Sequence, residues 1–213
     1  PIQYILGHAW FHDMNLLVND KVLIPRPETE ELVSRVLQSQ KKHPSSALDL
    51  CSGSGCIALA LKRNLPQTRV TGVELSEEAL QVARNNMRRQ KLDVHWMKAD
   101  VLDAAGFRLQ EEVDLIVSNP PYVMEKEKAH MEAHVLDYEP ELALFVPDQD
   151  PLLFYRAIAR IAASYLLQGG RAWVEINEQL GSETRSTFLN EGFSRSVIHK
   201  DIHQKERYVE AVK

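Results

Sequence analysis

From Ser46 onward, apolar and polar positions alternate between two periods. The short apolar runs ALDLC (47–51), RVTGVEL (69–75), VHWMKAD (94–100) and VDLIVS (113–118) read as strands. Residues 55–64 and 77–90 carry the 3.6-residue spacing of helices, as do stretches near 151–167 and 178–190 that flank a further strand, RAWVEI (171–176). Parallel strands need crossover helices, so this alternation predicts an α/β fold with a mostly parallel, doubly wound sheet. Two closing β runs, FSRSVIHK and RYVEAV, predict a C-terminal hairpin that adds an antiparallel strand.

The first 30 residues pattern differently. WFHDMNLLVND places turn residues between short apolar stretches, KVLI (21–24) reads as another strand, and PRPETE (25–30) is an extended entry into a helix reaching about Lys41. Thr29 is a candidate cap for that helix. The expected organisation is a linker and β-hairpin over residues 1–30, then one catalytic domain over 31–213. A chain of 213 residues has room for one such core.

The first strand runs into DLCSGSG, with Gly53 and Gly55 where a backbone lacking Cβ atoms can lie against a ligand. Nineteen residues past Gly55 the second strand ends in Glu74, whose carboxylate can accept from both ribose hydroxyls of an adenosine-containing cofactor. The third ends at Asp100, able to accept from the adenine amine, with Val101 able to cover the ring. On the glycine turn alone two cofactors stay open. Gly53-x-Gly55-x-x-Ala58 satisfies the dinucleotide fingerprint, whereas Asp49-x-Cys51-x-Gly53-x-Gly55 approximates the turn of S-adenosylmethionine enzymes.

The fourth strand runs into Asn119-Pro120-Pro121-Tyr122, at the carboxyl edge where open α/β sheets bind ligands. A planar nitrogen is a poor nucleophile because its lone pair is delocalised. The Asn119 side-chain carbonyl and the Pro120 backbone carbonyl can accept its two N–H bonds, let it become tetrahedral and aim it at a methyl donor. The prolines stiffen the loop, and Tyr122 can stack on a flat substrate group. Such a reaction needs no activated nucleophile, and a hydride-transfer enzyme has no use for this motif.

Net charge and cysteine usage narrow the field. A charge of −5 argues against a broad, nonspecific grip on nucleic acid. Cys51 and Cys56 form no CxxC, and His8, His12, His130 and His134 share no ligand spacing, so no metal site is expected. No apolar run suggests a membrane span, and a cytoplasmic setting is expected.

DLCSGSG, Glu74, Asp100 and NPPY together resemble the class I, Rossmann-like S-adenosylmethionine-dependent methyltransferases that methylate planar nitrogens. PIQYILG, the aromatic pair Trp10-Phe11, VLIPRPETE and YEPELAL (138–144) narrow this resemblance to the release factor glutamine methyltransferases, over essentially the whole chain. The resemblance implies transfer of a methyl group from S-adenosylmethionine, leaving S-adenosyl-L-homocysteine, to the glutamine of the GGQ loop in bacterial class I peptide chain release factors. It places Cys51, Ser52, Gly53, Ser54, Gly55, Glu74, Asp100, Val101 and Asn119 against the cofactor. Asn119 and Pro120 would carry the catalysis, with Pro121, Tyr122, Phe11 and Arg26 at the substrate.

A helical N-terminal domain is also implied, and because the chain opens on Pro1 it is expected to be absent here. The same motifs occur in a sister family acting on a ribosomal-protein glutamine and in DNA adenine methylases; the full PRPETE segment favours the release-factor enzymes. Cys51 departs from the family's usual first Gly, Glu74 from its commoner Asp, and VPDQDPLLFY (146–155) from a Gly-rich stretch. The charged run MEKEKAHMEAHV (124–135) is expected as a solvated helix, or else as a flap over the substrate.

Overall fold

The computed structural model describes residues 1–40 and 43–213. Its elements are α1 (Ile2–Leu6), β1 (His8–Phe11), β2 (Met14–Leu17), α2 (Pro27–Ser39), β3 (Ser46–Leu50), α3 (Cys56–Asn64), β4 (Arg69–Glu74), α4 (Glu77–Gln90), β5 (His95–Lys98), β6 (Val113–Ser118), β7 (Val123–Met124), α5 (Ala133–Tyr138), β8 (Phe145–Val146), α6 (Leu153–Tyr165), β9 (Leu166–Glu175), α7 (Gly181–Asn190), β10 (Arg195–Lys200) and β11 (Glu206–Val212).

Seven strands form the central sheet in the order β10-β11-β9-β6-β3-β4-β5. Pairing is parallel from β9 through β6, β3 and β4 to β5, and antiparallel where β11 meets β9 and β10. The expected hairpin therefore adds two strands, with the last strand of the chain inserted between the other two. Strand order reverses between β3 and β6, which makes their carboxyl ends the switch point where ligands bind in such sheets. The glycine turn follows β3 and NPPY follows β6. Both motifs thus leave the sheet side by side.

Two apolar clusters cover the sheet faces. One joins Leu32, Val33 and Val36 of α2 to Leu59 and Leu61 of α3. The other joins Ile158 and Ala162 of α6 to Phe188 of α7 and Ile116 of β6. Burying each such large side chain stabilises the fold by about 1.5–3 kcal/mol. Helix α4 has the expected bounds because Ser76 caps it, its side chain accepting the Ala79 N–H, and Lys91 closes it in a left-handed turn. No helix among the described residues is long and apolar enough to cross a membrane.

The N-terminal hairpin β1–β2 packs onto α4. Fully buried Asn86 accepts the Leu17 N–H at 2.6 Å and donates to the carbonyls of Leu17 and Ser54, both at 3.0 Å, tying the hairpin to the glycine turn. Phe11, Met14 and Leu16 join the same core cluster as α2 and α3. The boundary expected at residues 30 and 31 falls inside α2.

Several expectations are corrected. KVLI forms no ladder: Val22 and Ile24 bury against Ala79 and Val82, and the Ile24 N–H goes to the Glu139 carboxylate instead of a strand. Buried and less buried positions alternate there as in a strand, but no partner strand lies alongside among the described residues. Thr29 does not cap α2; Pro27 opens the helix after Arg26 and Thr29 sits in its first turn, buried. The helix end expected near Lys41 lies outside the described residues. The charged run after NPPY becomes a 3-10 helix (Glu125–His130) and the start of α5, both mostly exposed and bracketed by the short parallel pair β7–β8.

Candidate active site

A cavity of about 400 Å³ opens at the switch point. Its floor is the turn from Cys51 to Ser54, one side is Glu74, Asp100 and Val101, and Asn119 and Pro121 close the other. Cys51, where the resemblance implies a glycine, has φ +60°, a left-handed conformation that a side chain adopts at a cost of about 1–2 kcal/mol. Gly55 opens α3 at φ +82°, and a Cβ there would lie 2.6 Å from the Trp96 ring. A side chain at that position would push the turn off β5. Beneath the turn, wholly buried Asp49 accepts the Ala58 N–H at 3.0 Å, and burial pushes its pKa up to about 8.

The two acceptors expected for an adenosine group stand at the carboxyl ends of successive strands, β4 and β5. Glu74 Oε2 accepts the Gly53 N–H and Oε1 the Ser76 N–H, both at 2.9 Å, which fixes the carboxylate while each oxygen keeps a second acceptor direction. Asp100 Oδ1 accepts the Leu102 N–H at 2.8 Å, and Oδ2 accepts nothing from the described residues. Val101 is buried beside it. A glycine-turn cradle, a fixed carboxylate, a free carboxylate oxygen and an apolar cover fit the adenosine and methionine parts of S-adenosylmethionine.

The NPPY loop is anchored from behind. Asn119 Nδ2 donates to Thr29 Oγ1 at 2.9 Å, and that hydroxyl donates to Glu175 Oε2 at 2.7 Å. Tyr122 donates to Glu175 Oε1 at 3.0 Å. Glu175, at the carboxyl end of β9, is 1% exposed; burial pushes its pKa up to about 7 against the two hydroxyls and Arg207, which pull it down. Burial likewise raises the Tyr122 phenol. Asn177 donates to the Tyr122 carbonyl and to Glu127, and Glu127 accepts the Met124 N–H, which ties the exposed 3-10 helix to the loop.

Of the expected substrate residues, Pro121 and Arg26 line the cavity, while buried Pro120 and half-buried Tyr122 do not. Phe11 is corrected: at 1% exposure it packs with Met14 and Leu16 in the core and lines no part of the cavity. Its strand alternation turns it inward and leaves Trp10 exposed. Arg26 holds a carboxylate of its own chain, Glu139, at 2.5 Å, and Glu139 also accepts the Ile24 N–H. This pair clasps two cavity walls, PRPETE and YEPELAL. Arg26→Ala is expected to destabilise the fold by about 1–2 kcal/mol by leaving the buried Glu139 short of a partner; urea unfolding checks this, with Arg26→Lys falling between.

Glu175, Asn177, Asn86 and Glu139 were not singled out from sequence. Glu175 carried a usable signal, a carboxylate ending an apolar strand as Glu74 does.

The parallel sheet, the glycine turn and the acidic strand ends define the class I methyltransferase fold. A solved methyltransferase from Pyrococcus furiosus shares it at TM-score 0.69 and 18% identity, over 100% of this chain and 94% of that one. Residues 28–137 match the family model described as methyltransferase small domain. The release factor glutamine methyltransferase of Bacteroides thetaiotaomicron is 48% identical over 99% of this chain and 75% of its own length, and that of Flavobacterium psychrophilum is 42% identical over 98% and 74%. The chain belongs to the release factor glutamine methyltransferase family.

Proposed function

We propose that the chain methylates the side-chain amide nitrogen of the GGQ-loop glutamine in class I peptide chain release factors. The observation that carries this reading is the Asn119 amide. Its nitrogen is committed to Thr29, so Oδ1, without a partner among the described residues, remains to accept an N–H from a substrate amide beside the cavity. S-adenosylmethionine, when bound, supplies an electrophilic methyl group and leaves as S-adenosyl-L-homocysteine. Cys51 to Gly55 would cradle its methionine part, Glu74 its ribose, and Asp100 with Val101 its adenine.

Asn119 Oδ1 and the Pro120 carbonyl would hold the two N–H bonds of the glutamine, orient the lone pair and stabilise the positive charge that develops on nitrogen. Tyr122 would present its ring to the flat amide. The proton leaves to water after transfer. A protein substrate suits a chain of net charge −5 better than a polyanion does.

Incubation with labelled S-adenosylmethionine tests this reading against three acceptors: a purified class I release factor, the same factor with the GGQ glutamine replaced by Ala, and duplex DNA. Label only on the intact factor is expected. Label on DNA, or on the altered factor to the same extent, would overturn it.

A further inference from the structure

Neither Glu175 nor Thr29 was given a role at the substrate nitrogen, although Thr29 lines the cavity; directly and through Thr29, one carboxylate reaches two of the four NPPY residues. An ionised carboxylate only accepts, so Glu175 takes the single hydroxyl proton of Thr29. Thr29 Oγ1 must then act as acceptor toward Asn119, and of the two arms of the Asn119 amide only the NH₂ can donate. The polarity of the relay therefore decides which arm faces the cavity. On its other oxygen Glu175 fixes the Tyr122 hydroxyl.

We propose that Glu175 and Thr29 are positioning residues that hold the Asn119 amide with its carbonyl oxygen toward the substrate nitrogen. This inference rests on the proposed amide methylation. With Oε1 occupied by the Tyr122 hydroxyl, a proton on Glu175 falls on Oε2, which would then donate to Thr29 and free the Thr29 proton for the Asn119 carbonyl oxygen, letting the amide turn over. The groups facing Glu175 are Glu28 and Thr29 from α2, Cys56 from α3, Tyr122 from the loop after β6, Tyr155 from α6, and Arg207 and Tyr208 from β11. Burial, with the Glu28 charge adding to it, outweighs the pull of Thr29, Tyr122 and Arg207 and pushes the carboxyl up to about 7. The active polarity exists above that pH and is lost as pH falls through it.

Thr29→Val removes the hydroxyl at nearly constant volume and is expected to lower kcat on the release factor about tenfold, with KM and cofactor Kd within about threefold. Thr29→Ser, which restores the hydroxyl, should recover most of that loss. Equal losses in both variants, or a kcat for Thr29→Val within about threefold of wild type, would overturn the relay. Should the Val variant fail to fold, the pH profile decides: wild-type kcat rises about tenfold per unit up to near pH 7 and levels off, while Glu175→Gln loses that slope. The same slope in both proteins counts against the relay.

A readout independent of substrate separates the two readings. The Asn119 side-chain amide NMR signals should move with pH near 7 in wild type and stay fixed in Glu175→Gln. That result in a chain silent on the release factor would keep the relay and reject the substrate; fixed signals in an active chain would do the reverse.

Discussion

Asn119→Ala is expected to lower kcat for methyl transfer by about 10²- to 10³-fold, the usual loss when one preorganised polar group is removed from a developing charge. The substitution deletes the free Oδ1 and releases the Thr29 hydroxyl, leaving the NPPY backbone held by Pro120, Pro121 and the Tyr122–Glu175 contact. Cofactor affinity should stay within about threefold, because an interaction made chiefly with the reacting nitrogen appears in kcat rather than in ground-state binding. Asn119→Asp offers an oxygen in the same place but loses the N–H to Thr29 and adds a charge near Glu175, so it should not restore full turnover. Single-turnover kinetics with cofactor titration checks both numbers. Normal turnover in Asn119→Ala would remove this residue from the reaction.

Glu74→Ala should weaken S-adenosylmethionine binding by about 10- to 100-fold, the range of a charged hydrogen bond worth about 1.5–3 kcal/mol. Both oxygens are fixed by the N–H groups of Gly53 and Ser76, so Glu74 bridges the glycine turn to α4 and would meet the ribose already oriented. Glu74→Gln keeps one acceptor oxygen and should fall between. Calorimetric titration reads the affinity, and turnover at saturating cofactor should return to within about threefold of wild type if, as proposed, this carboxylate serves binding rather than the reacting nitrogen. An unchanged Kd would place the ribose elsewhere.

Local patterns made most of this fold legible. β3 and β6 read as strands because apolar residues buried on both faces form short runs, and α4 because residues 77–90 carry a clean 3.6-residue amphipathic spacing. The glycine turn, Glu74, Asp100 and NPPY were legible as a set because each stands at a strand's carboxyl end, where the topology collects them.

The anchoring network was not legible, for a physical reason. Thr29 and Glu175 are 146 residues apart, and nothing local to either marks the contact; Thr29 in isolation looks like a helix cap. Arg26 and Glu139, 113 residues apart, pose the same problem. KVLI misled because burial alternates without a partner strand, and β7 and β8 escaped because two residues carry no period. Long-range polar pairs depend on how the layers stack, and one-dimensional spacing does not encode that.

Peptide mass spectrometry of a class I release factor after reaction with the chain and S-adenosylmethionine tests the central claim most directly. One added methyl group on the side-chain nitrogen of the GGQ glutamine is the predicted result. A methyl group on any other residue, or on an oxygen or sulfur atom, would contradict it.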